Sequence, residues 1–330
     1  MGTARRRLIT IPGVFLAGIV LVVLLPVWLP LAVLADLVRL RRRLPTVRLL
    51  AFGLGWAWLE TAGVAAAAAL WIIGRADNHE DHYRLQHWWA ANLMRVMCAT
   101  TGIRLQADGV EALSPGPVVM LCRHASLADS LVSAWVITSL AHKHPRYVLK
   151  RELLADPCLD VVGNRLPNHF LDRAAADSTL ELAALTALST DMGPDDVAVI
   201  FPEGTRATPA KRARALERIA QRDAGRADSL AALRHLLPPR AAGSVALIDG
   251  APTADLVIAW HIGFDGLDTF GGILRHLARR PPPVQFVIRR ISRNTVPEGA
   301  AFTAWLDQQW LESDAAVDQQ LANRQPPTTH

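Results

Sequence analysis

Apolar and polar positions change their pattern twice along this chain. Leu8 to Ala35 is 28 residues without a charge, and Leu49 to Gly74 is a second apolar stretch holding only Glu60. A bilayer core needs roughly 20 apolar helical residues, so both stretches are long enough to insert. A secretory signal has an apolar region of roughly 7–15 residues, so the first stretch predicts an uncleaved anchor. Arg5, Arg6 and Arg7 precede it, and a link with Arg39, Arg41, Arg42, Arg43 and Arg48 follows. Both basic flanks belong on the cytoplasmic side, which one straight span cannot satisfy. Pro26 and Pro30 offer a way out, by breaking the first helix so that the chain dips in and returns. The expectation is a helical hairpin over residues 1–78, lodged mostly in one leaflet. Glu60 is expected to pair with a link arginine or lie at the interface rather than act as an intramembrane acid.

After Gly74 the polar positions return. Residues 80–99 read as an amphipathic helix with Trp88, Trp89, Leu93, Val96 and Met97 as apolar positions. From about residue 102, short apolar runs alternate with helical patterns. The runs Ile103–Ala107, Val118–Cys122, Tyr147–Leu149, Val197–Phe201, Leu256–Trp260 and Val284–Ile288 predict buried strands. Helices are expected over Ser126–Ala141, Ala174–Met192, parts of 209–236 and of 267–279, and Ala300–Leu321. This alternation predicts an α/β fold, a mostly parallel sheet flanked by helices, preceded by the membrane hairpin. The expected domains are the anchor (1–78), an α/β catalytic domain (79–312), and a helix end with a disordered tail (313–330).

Composition narrows the function classes. With 51% hydrophobic and 20% charged residues, the chain is neither disordered nor fibrous. Cys98, Cys122 and Cys158 are too scattered for a disulfide framework or a CxxC zinc site. The net charge of +5 divides into +7 over residues 1–48 and −2 over the rest. Basicity confined to the N-terminus points to membrane lipids, not nucleic acid. His79 and His82 lack a third ligand nearby and read as a charged helix start, so no metal is expected. Segment 207–243 carries eight basic and three acidic residues, and is either a solvated helical insert or a lip over an anionic ligand.

Three loops after predicted strands carry candidate chemistry. His124 follows the Val118–Cys122 strand, and Asp129 lies five residues on. A neutral imidazole can take an alcohol proton, and the acid can hold its tautomer. Ser126 and Asp129 equally fit a Ser-x-x-Asp capping box, which would leave Asp129 a helix cap. Phe201-Pro202-Glu203-Gly204-Thr205-Arg206 follows the next strand. Arg206 can grip a phosphate and Glu203 can hold that arginine or a hydroxyl, while a polar turn with an internal ion pair is the competing reading. Gly163–Arg173 places Arg165, His169 and Arg173 before a helix, where an anion is also favoured; surface pairing of Asp172 with Arg173 competes. The sequence has no GxSxG elbow, phosphate-binding Walker loop, HExxH or GxGxxG.

In this order the motifs resemble the glycerolipid acyltransferase family: His-x4-Asp (His124–Asp129), an aromatic–aliphatic–Asp–Arg loop end (Phe170–Arg173) and Phe-Pro-Glu-Gly-Thr-Arg (201–206). Leu236-Leu237-Pro238-Pro239-Arg240, with Gly243 beyond it, is similar to a segment of lysophosphatidate acyltransferases. The resemblance covers roughly residues 85–290. It departs at Ala125, where many members have Asn, Arg or Gln, and at Val257–His261, which replaces a Val-Pro-type strand motif. What it implies is acyl transfer from acyl-CoA or acyl-carrier protein to the hydroxyl of lysophosphatidic acid at the cytoplasmic membrane face. His124 is then the base and Asp129 its orienter. Arg173, Arg206, Glu203, Gly204, Thr205 and Arg240 bind phosphate, with backbone amides near Gly204 available to an oxyanion, and no cofactor is needed. Glycerol 3-phosphate or another lysophospholipid is the alternative acceptor, and a non-catalytic membrane scaffold is the rival from another class.

Overall fold

The structure, a computed structural model, describes residues 2–172, 178–264, 267, 270–280 and 282–324. In chain order the helices are α1 (Thr3–Val23), α2 (Leu25–Val38), α3 (Pro45–Ile72), α4 (His79–Thr101), α5 (Asp129–Trp135), α6 (Pro157–Val161), α7 (Ser178–Ser189), α8 (Pro209–Ala220), α9 (Ala224–Leu230), α10 (Ala241–Gly250), α11 (Phe270–Ala278) and α12 (Ala300–Ala322). The strands are β1 (Leu105–Asp108), β2 (Val118–Cys122), β3 (His144–Lys150), β4 (His169–Leu171), β5 (Asp196–Ile200), β6 (Asp255–Ile262) and β7 (Val284–Ile291). They fall into two compact units that interleave along the chain. One comprises Met1–Arg104, Leu131–Ala176 and Thr269–Pro283; the other comprises Leu105–Ser130, Asp177–Asp268 and Val284–His330.

The first unit contains the apolar N-terminus. The first apolar stretch breaks at Leu24, between α1 and α2. The cause is local. Pro26 sits at the second position of α2, where its missing N–H is harmless to the new helix but cannot continue the old one. Pro30 stays inside α2 and breaks nothing. Helix α1 packs on α3, with Phe15 edge-on to Trp58 and Gly18 against Ala57. Buried Asp36 near the end of α2 accepts from the Thr46 amide at 2.8 Å and its hydroxyl at 2.7 Å, which closes the turn into α3. Both α1 and α3 are long and apolar enough to cross a membrane. Leu8, Val23, Leu31, Leu40 and Ile72 remain exposed, an apolar surface larger than water-facing helices usually carry.

One charge, Glu60, differs from expectation. Glu60 is fully buried and takes no arginine: it accepts from the Trp89 indole at 2.8 Å and the Cys158 amide at 2.9 Å. The indole and the amide supply hydrogen-bond donors to this buried carboxyl. The leading arginines are also partly spent inside the unit. Arg6 grips Asp160 with two nitrogens at 2.7 and 2.8 Å, and Arg7 donates to the Asp160 carbonyl. The same unit holds the parallel pair β3–β4 and helix α4, whose N-cap Asn78 accepts from the Asp81 amide. His82 lies on the Ala76 carbonyl at 2.8 Å, in keeping with a helix start.

The second unit is built on a sheet in the order β1-β7-β6-β2-β5. β1–β7, β2–β6 and β2–β5 are parallel; β6–β7 is antiparallel. Every residue of β2 and β5 is buried, which is why β2 and Val197–Ile200 of β5 read as unbroken apolar runs: a parallel strand covered on both faces has little polar side to show. The last helix, α12, supplies Asp314, whose carboxylate accepts the amides of Arg234, His235 and Leu236. Asp307 takes both ends of the Arg226 guanidinium. These bonds fasten segment 207–243 to the body of the unit, so it is a braced helical insert.

Candidate active site

Strand register brings the site together. Leu121 of β2 lies beside Ile200 of β5 and Ile258 of β6. Three residues further along each parallel strand direction stand His124, Glu203 and His261. His124 and Glu203 stand just past the carboxyl ends of β2 and β5, and His261 is in the last residues of β6 at the same level, the edge where α/β sheets gather their ligand-binding loops.

His124 Nδ1 lies 2.8 Å from Asp129 Oδ2. The same oxygen accepts the Ala125 amide at 2.6 Å and the Ser126 amide at 2.8 Å. The Ser126 hydroxyl donates to Oδ1, and the Ala128 amide donates back to the Ser126 oxygen. Both readings of Asp129 thus hold at once: it closes the turn that opens α5, and the closure presents a carboxylate to His124. Asp129 is 1% exposed and the His124 side chain 14%. Burial would raise the Asp129 carboxyl, but nearby His261 and the hydrogen bond from His124 outweigh it and hold it well below the usual carboxylate range. A carboxylate that accepts at Nδ1 fixes the tautomer with a bare Nε2, the form that can accept a proton. The ring leans on Phe201, 5.0 Å between centroids. The Cys122 thiol at the end of β2 is pushed up by burial and by Asp129, so it is no ready nucleophile.

The Phe201–Arg206 loop departs from expectation at Glu203. Its carboxyl is buried and does not reach out to orient a phosphate. Oε1 accepts the His124 amide at 2.8 Å and Oε2 the Leu237 amide at 2.9 Å. Glu203 therefore ties three loops together, and the Ala207 amide adds a bond to the His124 carbonyl. Burial pushes the Glu203 carboxyl up to about 8, against the pull of those two amides and of Arg123. Gly204 adopts φ +70°, a left-handed turn that a side chain would strain. Its amide donates to the Phe201 carbonyl at 2.9 Å, so that amide is committed to the turn and not held for an oxyanion.

The site cations stand on this loop and on the segment after α9. The Arg240 guanidinium lies over Gly204, 3.7 Å from where a β-carbon would sit, while the Arg240 amide donates to the Pro202 carbonyl. Arg206 is half-buried and follows Thr205. Lys211, which the motifs did not single out, donates to the Thr205 hydroxyl at 3.1 Å and the Arg206 carbonyl at 3.2 Å. Its one sequence signal is its place in the basic 207–243 segment. Arg173 lies outside the described residues. Asp172, its neighbour in the third loop, pairs with Arg151.

The buried Glu203 carries a stability prediction. An unfolded glutamate titrates near 4.3, so between there and about 8 the folded state holds a proton that the unfolded chain has lost. The stabilisation tied to that proton is complete below the lower value and is lost as pH rises through about 8. Glu203→Gln cannot titrate. The margin by which the wild type's thermal unfolding temperature exceeds the variant's therefore narrows from acid toward pH 8. A margin constant over that range would contradict the assignment.

Against known proteins, the Acyltransferase family matches residues 104–243, the segment that contains His124, Asp129 and the Phe201–Arg206 loop. The match makes residues 104–243 similar to an acyltransferase domain, over the same stretch that carries the His124–Asp129 and Phe201–Arg206 motifs. One solved structure to which the chain is similar is the 1-acyl-sn-glycerophosphate (LPA) acyltransferase PlsC from Thermotoga maritima. The identity is 14% and the TM-score 0.45, with 82% of this chain and 97% of that chain covered.

Proposed function

We propose that this protein is a membrane-bound acyltransferase that moves a fatty acyl group from a thioester to the free hydroxyl of lysophosphatidic acid, giving phosphatidic acid. The observation that carries the reading is the His124–Asp129 pair, 2.8 Å apart at Nδ1 with Nε2 left to accept a proton, beside a loop over which Arg240 lies. His124 takes the proton from the attacking hydroxyl as its oxygen bonds to the thioester carbonyl carbon. The imidazolium, held by the Asp129 carboxylate, returns that proton to the departing thiolate. The substrate hydroxyl is the nucleophile, so no acyl-enzyme forms. Arg206 and Arg240 bind the acceptor phosphate, with Lys211 and Thr205 in support; an arginine fork suits a phosphate at two oxygens.

The donor is acyl-CoA or acyl-carrier protein, arriving on the cytoplasmic side. The long apolar helices α1 and α3, with exposed leucines and valines, support residence in the bilayer that holds the lipid acceptor. The acceptor is tested by mass spectrometry of the products formed from a long-chain acyl-CoA in detergent, with lysophosphatidic acid or glycerol 3-phosphate. The reading expects phosphatidic acid from the first and a much slower reaction of the second. It also expects Arg240→Ala to raise KM for the acceptor while leaving kcat nearly unchanged, because uniform binding is removed. Exclusive acylation of glycerol 3-phosphate would overturn the acceptor assignment.

A further inference from the structure

Asp129 faces two imidazoles, and the motifs account for only one. His261 comes from the end of β6, outside the segment that the acyltransferase family matches. It is 1% exposed, with Nε2 3.0 Å from Asp129 Oδ1. The ring N–H points off the line to that oxygen, so the contact is mainly electrostatic and not a well-formed hydrogen bond. Nδ1 has no hydrogen-bond partner among the described residues. The ring is held by its walls instead: parallel to Phe286 at 6.3 Å and edge-on to Phe264 at 5.5 Å. The backbone is fixed too, since the Arg123 guanidinium donates to the His261 carbonyl.

The two oxygens of Asp129 thus have separate duties. Oδ2 serves His124 and two amides, while Oδ1 serves the Ser126 hydroxyl and faces His261. An ionised carboxylate only accepts, so Nε2 facing it carries a proton. Buried Nδ1 has no acceptor among the described residues, which favours the neutral ring with Nδ1 bare.

We propose that His261 is a positioning residue: it holds Oδ1 of Asp129 so that Oδ2 stays aimed at His124. The inference rests on the reading of His124 as the base. It also sets the direction of a pH effect. Among the described residues, Asp129 on α5 is the charged group that faces His261 directly, His124 lies across that carboxylate, and Arg123 after β2 holds the His261 carbonyl; Phe264 and Phe286, which wall the ring, are uncharged. Without His261, the negative charge of Asp129 is shared less and bears more strongly on His124. His124 then holds its proton more tightly, and the acidic limb of the kcat/KM profile moves to higher pH.

The test compares His261→Phe, His261→Gln and His124→Ala in purified full-length protein, assayed by thiol release from a long-chain acyl-CoA with lysophosphatidic acid. Loss of the outer partners that orient metal ligands typically costs about 10–100-fold, and a residue that orients the carboxylate behind a base is expected to act on the same scale. The expected result for His261→Phe is a kcat loss of that size, an unchanged KM and an acidic limb moved upward in pH. His261→Gln, which keeps an N–H near the Nε2 position, recovers the rate and the limb. Wild-type rate and limb in His261→Phe, beside an inactive His124→Ala, would overturn the positioning role alone. Equal losses in the Phe and Gln variants with an unmoved limb would also overturn it, as packing only. An active His124→Ala would overturn the base reading and the positioning role together.

Discussion

Replacing His124 with alanine lowers kcat by about 10²–10⁴-fold or more, the range that positioned proton transfer contributes. The expected effect is large because the geometry offers no substitute. Asp129 faces Nδ1 of the same ring and is held well below the usual range, so it is too weak a base to act alone. Cys122 is buried with its thiol pushed up. Glu203 spends both oxygens on backbone amides. The fold should survive the change. His124 is tied to its surroundings through its amide and carbonyl, which alanine keeps, and among the described residues its side chain contacts Asp129 and the Phe201 ring. Circular dichroism and thermal unfolding of the variant should match the wild type, with KM for both substrates little altered.

Asp129→Asn separates the two duties of that carboxylate. A pure helix cap is worth about 0.5–2 kcal/mol of stability and nothing in turnover. A carboxylate that orients the base and stabilises its imidazolium is worth about 10³–10⁴ in kcat, by the logic of the Ser-His-Asp triad. Asparagine supplies one accepting oxygen in place of two. With that oxygen toward His124, Ala125 and Ser126, most of the turn survives. The charge that stabilises the imidazolium is gone in either orientation. Kinetics are therefore expected to fall by the larger factor while unfolding shifts modestly. A stability loss with kcat within tenfold of wild type would return Asp129 to the role of a cap.

Parts of this architecture were legible in the residues because local pattern and final environment agree. Val118–Cys122 of β2, Val197–Ile200 of β5 and Leu256–Trp260 of β6 are unbroken apolar runs, and strands buried on both faces produce that pattern. β4 was read as loop: His169-Phe170-Leu171 is three residues of mixed character whose pairing with β3 is tertiary. α10 was missed because Ala241-Ala242-Gly243-Ser244 follows two prolines and has weak helical signal. Pro26 and Pro30 were both candidates to break the first apolar helix; the break falls at Leu24, just before Pro26, while Pro30 sits inside α2. At the site, His124 and Asp129 were readable as a motif. The roles of Glu203 and His261 were not, since each depends on which strands become neighbours and in what register. The same holds for Glu60, whose partners Trp89 and Cys158 are brought in by other helices.

The central claim is that this chain transfers an acyl group from a thioester to a lipid hydroxyl using His124. It is tested most directly by thiol release from a long-chain acyl-CoA, with lysophosphatidic acid as sole acceptor, in matched preparations of wild type and His124→Ala. The account predicts release that requires the acceptor and disappears in the variant. Acceptor-dependent release of equal rate in both proteins would contradict it.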